Sequence, residues 1–560
     1  MSIAQVLPAL ILASIVLGCA HDPSQHDPIE TEPKAVLVPG SGVYTRPITT
    51  EDPMAQQFFD QGLRFAWGFF FPESIASYQE AARLDPTHPM PYWGMAHAMG
   101  PNPNSRYARM PDDPLGEGLK AIQRARDLAA NGNDYERDLV DALFILYDQE
   151  SIPDDGERDQ AYLAAARALH QKYPQDADVG ALYAAAYMSI GRWDYWDAEG
   201  HPKSETADVA AALEQVLSAT PGHPGANHLY IHLLEASLEP ERALGAADRL
   251  ESTMPIAGHV VHMPAHIYVR VGQHQKAIEN NERSQRVDRE FAKYWGNLPL
   301  PNLGTYPLNH KMHAPHAIDF IRYAATVQGN YAVAIAAAEK SAAFVSEANV
   351  DARGGQKRVA AVWLVNKTFG KWDKLIGHAP EYSGRPYLDG MWSYALGGAY
   401  AATGDLTRAR MESEKLTQLA NSPDADTYRV GATPASAVLK LAALGLQGEI
   451  FHAEGRLDAA IAAFSEAVAI EDLNNYTEPP DWSQPIRHFL GAALLDADEA
   501  KQAENVYRRD LRWNQNNGWS LLGLYQSLVL QGRASEASEI KLRFDEAWRH
   551  ADVSLEKSRI

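Results

Sequence analysis

Small and apolar residues recur along much of the chain with a spacing typical of paired helices. The stretch FFDQGLRFAWGFFFPESIASYQEAARLDP, residues 58–86, repeats its apolar positions every three or four residues and closes at a proline. Small or aromatic side chains fall where two antiparallel helices pack closely: Gly62, Phe65, Ser74, Tyr78, Ala81 and Pro86. This pattern predicts a helical hairpin that ends where proline cannot continue the helix.

The same pattern returns further along the chain. It recurs in GNYAVAIAAAEKS, GDLTRARMESEKL and GRLDAAIAAFSEAVAI, and NGWSLLGLYQSL supplies the first helix of another hairpin. The spacing is that of tetratricopeptide (TPR) repeats, which are helix pairs that stack into a superhelix. Little of the sequence is typical of β-strands. We therefore predict an all-α fold, a TPR-type solenoid of helical hairpins.

Chain length and turn-forming residues divide the predicted solenoid into two arms. A chain of 560 residues exceeds the usual size of a single compact core. The segments DARGGQKR and HAPEYSGRP are rich in turn formers and lie between two regions that contain repeats. We predict an N-terminal arm over residues 51–345, a connecting segment over 346–385 and a C-terminal arm over 386–560.

The N-terminal region differs in composition from both arms. The sole cysteine, Cys19, ends the apolar run MSIAQVLPALILASIVLGC, which is typical of a secretion signal with a lipoprotein-type cleavage site. No Lys or Arg precedes the run, and the alternative is a plain signal peptide or a membrane anchor. We predict a signal peptide over 1–19 and a disordered tether over the Pro- and Asp-rich 20–50. The protein is then a periplasm-facing lipoprotein of the bacterial cell envelope, anchored through Cys19.

Net charge and cysteine content narrow the classes of ligand. The formal charge of -22 argues against a nucleic-acid partner, which needs a basic surface. It favours cationic ligands such as metal ions. A single cysteine rules out internal disulfides and Cys-based zinc modules.

Histidines are concentrated in three short stretches, HLYIHLLE, GHVVHMPAHIYVRVGQH and HKMHAPHAID. His228 and His262 are 34 residues apart, and so are His232 and His266. Because this is the length of one repeat, the two pairs occupy equivalent positions on the first helices of adjacent hairpins. In such solenoids the first helices line the concave face.

A third stretch continues the series after an insertion. A step of 57 residues relates His259 to His316, and the same step relates His262 to Asp319. Side chains three or four residues apart share a helix face, and packed helices lie about 8–10 Å apart, so the stripes can share one ion or two. The proposed metal ligands are His228, His232, Glu235, His259, His262, His266, His316 and Asp319.

Imidazole and carboxylate ligands without thiolate suit transition metals, and the candidate ions are Cu, Fe and Zn. Two alternatives for the histidines are a hydrogen-bonded polar core and a pH-sensitive protein groove. Whether His97, His310 and His313 join the site stays open; the last two fall in a Pro-rich insertion. We expect His274 to be exposed at an outer turn.

Aromatic residues are clustered in two predicted loops. Trp193 and Trp196 lie in RWDYWDAEGHP, and Tyr294 and Trp295 lie in KYWGNLPLPN. They are expected either to form the wall of a substrate pocket or peptide site, or to fill the cores of their loops.

These features together resemble a group of large, mostly uncharacterised bacterial TPR proteins with the histidine motifs HxxxHxxE and HxxHxxxH. The matching stretches span most of residues 55–525: QGLRFAWGF, YWGMAHAMGPNPN, HLYIHLLEAS, GHVVHMPAHIYVRVG, PHAIDFIRYAATVQGNY and AENVYRRDLRWNQNNGWSLLGL. The resemblance implies the solenoid and its histidine-rich centre, but no particular reaction.

The chain departs from that family's pattern at two places. Gly68-Phe69-Phe70-Phe71 stands where the family usually has Gly-Phe-Asn-His. Pro315-His316-Ala317-Ile318-Asp319-Phe320 stands where it usually has Pro-His-Asn-x-His-Phe. These departures leave open whether the metal, the number of ions and the substrate are those of the relatives.

We predict a metal-dependent enzyme whose His/carboxylate centre lies on the concave face of the solenoid and acts on a small molecule or peptide. Glu235 is expected to be a ligand or the general base. Redox chemistry is favoured slightly over hydrolysis, because the ligand set is rich in histidine and lies outside the cytoplasm. The alternatives are a non-catalytic TPR scaffold that binds a peptide or protein partner, and metal storage or sensing.

Overall fold

The computed structural model describes residues 33–104, 112–296, 314–352, 354–431, 433–474, 476–482 and 484–560. Cys19 and the predicted signal peptide lie outside the described residues, as do His310 and His313. The side chains of Tyr294 and Trp295 also lie outside them.

Helices make up most of the described chain. Those of the N-terminal arm are α1 (Pro53–Trp67), α2 (Phe71–Leu84), α3 (Pro89–Met99), α4 (Pro114–Asp127), α5 (Asp134–Phe144), α6 (Asp155–Lys172), α7 (Ala177–Gly191), α8 (Thr206–Ala219), α9 (Pro224–Glu235), α10 (Leu244–Thr253), α11 (Gly258–His262), α12 (Pro264–Arg270), α13 (His274–Gly296), α14 (Ala314–Val327) and α15 (Tyr331–Ala342).

The connecting segment and the C-terminal arm are helical as well. Their helices are α16 (Gly355–Thr368), α17 (Pro386–Ala402), α18 (Leu406–Ala420), α19 (Ala435–Ala453), α20 (Leu457–Glu471), α21 (Ile486–Asp496), α22 (Ala500–Trp513), α23 (Gly518–Leu530) and α24 (Ala534–Ala547). Short 3-10 turns cover Ala129–Asn131, Ile145–Tyr147, Pro240–Ala243, Trp372–Lys374 and Pro423–Thr427. One two-stranded antiparallel hairpin joins β1 (Arg429–Val430) to β2 (Thr433–Pro434).

Close packing of consecutive helices depends on small residues at the crossings. A Cβ atom on Gly62 would lie 2.8 Å from the ring of Tyr78, and one on Gly94 would lie 2.4 Å from it. The Tyr78 ring therefore fits between α1 and α3 only because both positions are glycine. Tyr507 occupies the same kind of slot in the C-terminal arm, between α21 and α23. The all-α, TPR-type fold predicted from the repeats is confirmed.

The hydrophobic core forms two main clusters, and the C-terminal arm packs back against the N-terminal arm. One cluster has most of its residues in the N-terminal arm, and the other in the C-terminal arm. Trp519 of α23 belongs to the first cluster, and its indole N–H donates to the Thr326 carbonyl of α14 at 3.2 Å. The exact limits of the two arms stay a prediction.

Residues 33–50 differ from the disordered tether that the composition predicts. The side chain of Gln61 pairs with this segment on both sides, accepting from the Val38 N–H at 2.7 Å and donating to the Val36 carbonyl at 2.9 Å. Arg46 forms an ion pair with Asp176 at 2.6 Å. Because its backbone groups are paired and Val38 is buried, this segment is part of the folded arm.

None of the helices in the described part of the chain combines the length and the apolar character required to cross a bilayer.

Candidate metal centre

Four short helices of the N-terminal arm bring the predicted histidines together. α9 begins at Pro224 after the N-cap His223, whose Nδ1 accepts from the Ala226 N–H at 2.9 Å. The next helical run is interrupted at Met263 and Pro264, which separate α11 from α12. Together with α14, these elements direct the histidines into the interior of the arm.

Three overlapping groups of side chains have the geometry of metal sites. Within each group the available ligand atoms lie within 4.8 Å of one another. The first group is His228, His232 and His259; the second is His262, His266 and His316; the third is His232, Glu235, His266 and Glu478. Apart from His316 and Glu478, which are partly buried, these residues are buried.

Hydrogen-bond acceptors determine which nitrogen of each histidine is free. Nδ1 of His228 donates to the Trp67 carbonyl at 2.6 Å, and Nδ1 of His262 donates to Asn281 Oδ1 at 2.5 Å. The Asn281 amide is oriented by its own N–H, which donates to the Ala277 carbonyl at 2.7 Å. Because carbonyl oxygens only accept, both Nδ1 atoms carry hydrogen and both Nε2 atoms present lone pairs.

Glu235 plays the same part for His232 and His266, which belong to different three-histidine groups. Its Oε1 accepts from His232 Nδ1 and its Oε2 from His266 Nδ1, both at 2.7 Å. Trp193 and Tyr476 also donate to this carboxylate, at 3.2 and 2.9 Å. A single fully buried carboxylate therefore orients one histidine of each three-histidine group.

The Nε2 atoms of these histidines converge. His228 Nε2 lies 3.3 Å from His259 Nε2, and His266 Nε2 lies 2.8 Å from His262 Nε2. Two nitrogen ligands of one tetrahedral ion with bonds of about 2.0–2.1 Å are separated by about 3.3 Å. The Nε2 of His232 is buried and has no hydrogen-bond partner among the described residues.

Burial keeps several of these imidazoles neutral. It is the main cause that lowers the pKa of His228 well below its usual value and that of His316 to about 3. Burial would likewise lower the pKa of His266, but the carboxylates of Glu478 and Glu235 raise it to about 10. In return, the charge of His266 and the hydrogen bonds from His232 and His266 outweigh burial and hold the pKa of Glu235 well below its usual value.

Two aromatic rings lie against the two histidine groups. Phe69 lies 4.3 Å from His228 between ring centroids and has a positive φ of 59°. Phe320 lies 4.9 Å from His262 and 4.6 Å from His266. These rings exclude water from the centre and lower its polarity.

Two histidines and one aspartate of the sequence analysis lie apart from the three groups. Asp319 accepts from Arg322 Nε at 2.6 Å and belongs to none of the three groups, so its role as a ligand stays a prediction. His97 stacks on Trp93 at 5.2 Å and is in none of them either. His274 is buried, contrary to the exposure expected from its position at a turn.

The centre includes residues that the sequence did not point to. Glu478, from the C-terminal arm, makes an ion-pair contact with His266 Nδ1, and Tyr476 on the same segment binds Glu235. Burial and the nearby Glu235 raise the pKa of Glu478. No periodicity marks either residue, because they lie in an irregular segment more than 200 positions from α9. Asn281 of α13 was missed for a similar reason, since its role depends on one tertiary contact.

Comparison with known proteins adds little about function. No family model matches the chain, and no curated protein matches it. It is similar to the human IFIT1 dimer with PPP-AAAA, at 13% identity over 90% of this chain and 92% of that one, with a TM-score of 0.31. A monomeric IFIT1 mutant with Gppp-AAAA gives 14% identity over 86% and 97% of the two chains, and a TM-score of 0.33.

A third solved structure, Naa15/Naa10 bound to HypK-THB, matches at 13% identity over 88% of this chain and 71% of that one, with a TM-score of 0.22. At identities and TM-scores this low, the likeness carries no argument about ligand or reaction. The resemblance to the histidine-rich bacterial TPR proteins therefore stays a prediction. What the structure does provide is a TPR-like helical scaffold with histidine clusters that could hold a metal ion.

Proposed function

We propose that this protein is a metal-dependent enzyme whose solenoid encloses a transition-metal centre made of histidine and carboxylate. One observation carries the proposal: four histidines on α9, α11 and α12 each donate from Nδ1 to a protein acceptor and turn Nε2 inward. Where these nitrogens face one another in a buried space, a cation between them, either a proton as on His266 or a metal ion, removes the repulsion between their lone pairs. A metal ion satisfies all of them at once.

The number of imidazoles supports a centre of two ions. Each three-histidine group provides three nitrogens, which is the protein ligand set of a catalytic site that keeps one position open. The two groups are adjacent, because the rings of His232 and His266 lie 5.3 Å apart between centroids. Two neighbouring ions with open positions can bind and activate one small substrate together.

The ligand set favours Cu or Fe, and so redox chemistry, over hydrolysis on Zn. Six imidazoles without thiolate suit these ions. Glu235 is engaged by four donors, which supports an orienting role for this residue and leaves it less free to act as the general base that the sequence suggested. We also propose that the protein works in the cell envelope, on the strength of the apolar run that ends at Cys19.

Elemental analysis of the protein purified from its native compartment tests the proposal. His232→Ala and His266→Ala each remove a ligand, and His201→Ala is the matched control because its side chain is 74% exposed on a loop. We expect about one or two equivalents of a transition metal in the wild type and the control, and loss in both ligand variants. Circular dichroism verifies that each variant is folded.

The metal found then selects the activity assay. Copper or iron predicts oxygen consumption with an organic reductant, and zinc predicts hydrolysis of an ester or amide. A folded wild-type chain that holds no metal, even after incubation with Cu, Fe and Zn, would overturn the proposed function and leave a binding scaffold.

A further inference from the structure

A cavity of about 350 Å³ lies directly beside the metal centre, between the two arms, and residues of both arms line it. Cavities of this size enclose small organic ligands. We infer that this cavity is the substrate site of the centre and that it accepts a planar aromatic molecule carrying an anionic group. The inference rests on the proposed function.

The walls of the cavity are rich in aromatic side chains. Two come from the loop after α7, one from α14, two from the segment 476–482 and one from α22: Trp193, Trp196, Tyr323, Tyr476, Trp482 and Trp513. Such surfaces offer flat, apolar contact area with polar edges, which suits the faces of an aromatic ring better than an aliphatic chain. Of the two roles expected for Trp193 and Trp196, the cavity supports the substrate wall.

Side chains that line the cavity also contact residues of the metal centre. Trp193 and Tyr476 both line the cavity, and both donate to the Glu235 carboxylate, at 3.2 and 2.9 Å. The Trp193 ring also lies 5.7 Å from that of His232. A ligand in the cavity therefore touches residues that contact the candidate ligands of the metal.

Acidic residues of the cavity wall are already neutralised by protein partners. Asp472 pairs with Arg487 through two hydrogen bonds of 2.7 and 2.6 Å, and Asp481 pairs with Lys357 at 3.0 Å. Asp194 pairs with Lys203. Burial raises the pKa of Glu471 to about 8, so this carboxyl is largely neutral at pH 7. The remaining two are Asp197, which pairs with His201 at 3.0 Å, and Asp510, which accepts from Ser520 at 2.6 Å. Each acidic residue of the wall therefore has a partner or is largely neutral, which limits its repulsion of an anionic ligand.

Two hydrogen-bond donors on the wall remain for a ligand. Arg512 on α22 makes no ion pair within the described residues, and the buried indole N–H of Trp482 has no hydrogen-bond partner among them. A guanidinium at the exposed rim and an indole N–H in the wall match a carboxylate or phenolate attached to an aromatic ring. The cavity therefore has donors for an anionic group and aromatic walls for the ring.

The test measures binding of benzoate to the full chain loaded with Co²⁺, which gives the centre a visible spectrum. We expect benzoate to quench tryptophan fluorescence saturably and to shift the cobalt bands. Cyclohexanecarboxylate has the same charge without the aromatic ring, and benzyl alcohol has the ring without the charge. Each should bind at least about tenfold more weakly than benzoate, because one type of contact is lost.

Two variants and a control locate the binding. Arg512→Gln should weaken benzoate about tenfold while leaving benzyl alcohol unchanged, and Trp513→Leu should weaken both. Arg508→Gln is the matched control, since it removes an arginine from the same helix outside the cavity and should change neither. Benzoate affinity that is equal in the wild type, Arg512→Gln and Trp513→Leu would overturn the inference.

The outcomes separate this inference from the proposed function. A chain that holds cobalt but shows no saturable binding of benzoate overturns the substrate cavity alone. Binding that leaves the cobalt spectrum unchanged overturns the link between the cavity and the centre. A chain that holds no metal overturns the proposed function and, with it, the assignment of this cavity as a substrate site.

Discussion

At the scale of single residues, the chemistry of this protein depends on which nitrogen of each histidine carries hydrogen. In α9 the N-cap His223 accepts through Nδ1, so its Nε2 donates to Asp178 at 3.0 Å. Five residues later, His228 donates through Nδ1 and leaves Nε2 without a proton. The same residue type is thus a structural donor at the start of the helix and a candidate ligand within it, because the acceptors around it differ.

Glu235 is the residue on which both histidine groups depend, and its replacement is our first prediction. Glu235→Gln keeps the shape but removes the charge and one of the two acceptor oxygens shared by His232 and His266. We expect the metal affinity to fall about 10–100-fold, the usual effect of losing an orienting carboxylate. Titration against a chromogenic chelator measures it. Glu239→Gln, on the exposed surface nearby, is the control and should keep the wild-type affinity.

At the scale of elements, one buried carboxylate holds four segments together behind the centre. Asp178 of α7 accepts from His223 at 3.0 Å, from Trp67 of α1 at 3.2 Å and from Tyr44 of the N-terminal segment at 2.8 Å. Arg46 adds an ion pair at 3.3 Å. These contacts place the start of α9 and the end of α1, and so the Trp67 carbonyl that orients His228.

This network predicts a pH-dependent stability. Burial would raise the pKa of Asp178, but the hydrogen bond from His223, the charge of Arg46 and the hydrogen bond from Tyr44 lower it to about 2. Because the folded-state pKa lies below the unfolded value, the stabilisation is present above about pH 4 and is lost as the pH falls towards 2. Asp178→Asn should lower the free energy of unfolding by about 2 kcal/mol at pH 7.

Denaturant unfolding at pH 7 and again near pH 2.5 measures the effect. The difference between Asp178→Asn and the wild type should shrink at the lower pH, because the carboxyl is then protonated in the unfolded chain and approaches its pKa of about 2 in the folded protein. Asp208→Asn, on the exposed face of α8, is the control and should leave stability unchanged at both values. A difference of the same size at both pH values would contradict the role of charge.

At the scale of the whole molecule, the candidate metal centre is also a junction between the arms. Arg270 of α12 donates to the carbonyls of Glu235 and Ser237, and its Nε donates to the Trp513 carbonyl of the C-terminal arm at 3.3 Å. Glu478 reaches the centre from the same arm. Bound metal would therefore stabilise the closed arrangement of the arms as well as the site itself.

Hydrogen exchange with and without the metal tests this coupling. Removal of the metal by a chelator should raise exchange in α9, in α12 and in residues 476–482 together, because Glu478 shares one of the three groups with His232 and His266. The α19–α20 hairpin is an internal control, since it contributes no residue to the three groups. Faster exchange in α9 and α12 alone would show that the C-terminal arm is held independently of the metal.

The features that could be predicted from the sequence are those that depend on the spacing of residues close together in the chain. Helical periodicity and small residues predict the hairpins, since a helix and its neighbour are adjacent in the chain. The 34-residue step between His228 and His262 predicts a shared face for the same reason. All of the predicted ligands except Asp319 belong to the three groups that the structure brings together.

Only the tertiary structure determines the contacts between distant segments. Glu478 and Tyr476 enter the centre because the C-terminal arm folds back, and no local pattern encodes that approach. The tautomers of His228 and His262 depend on acceptors from other helices. Asp319 is drawn to Arg322 one turn away. Sequence spacing determines which side chains can share a face; long-range packing determines which of them meet and in which protonation state.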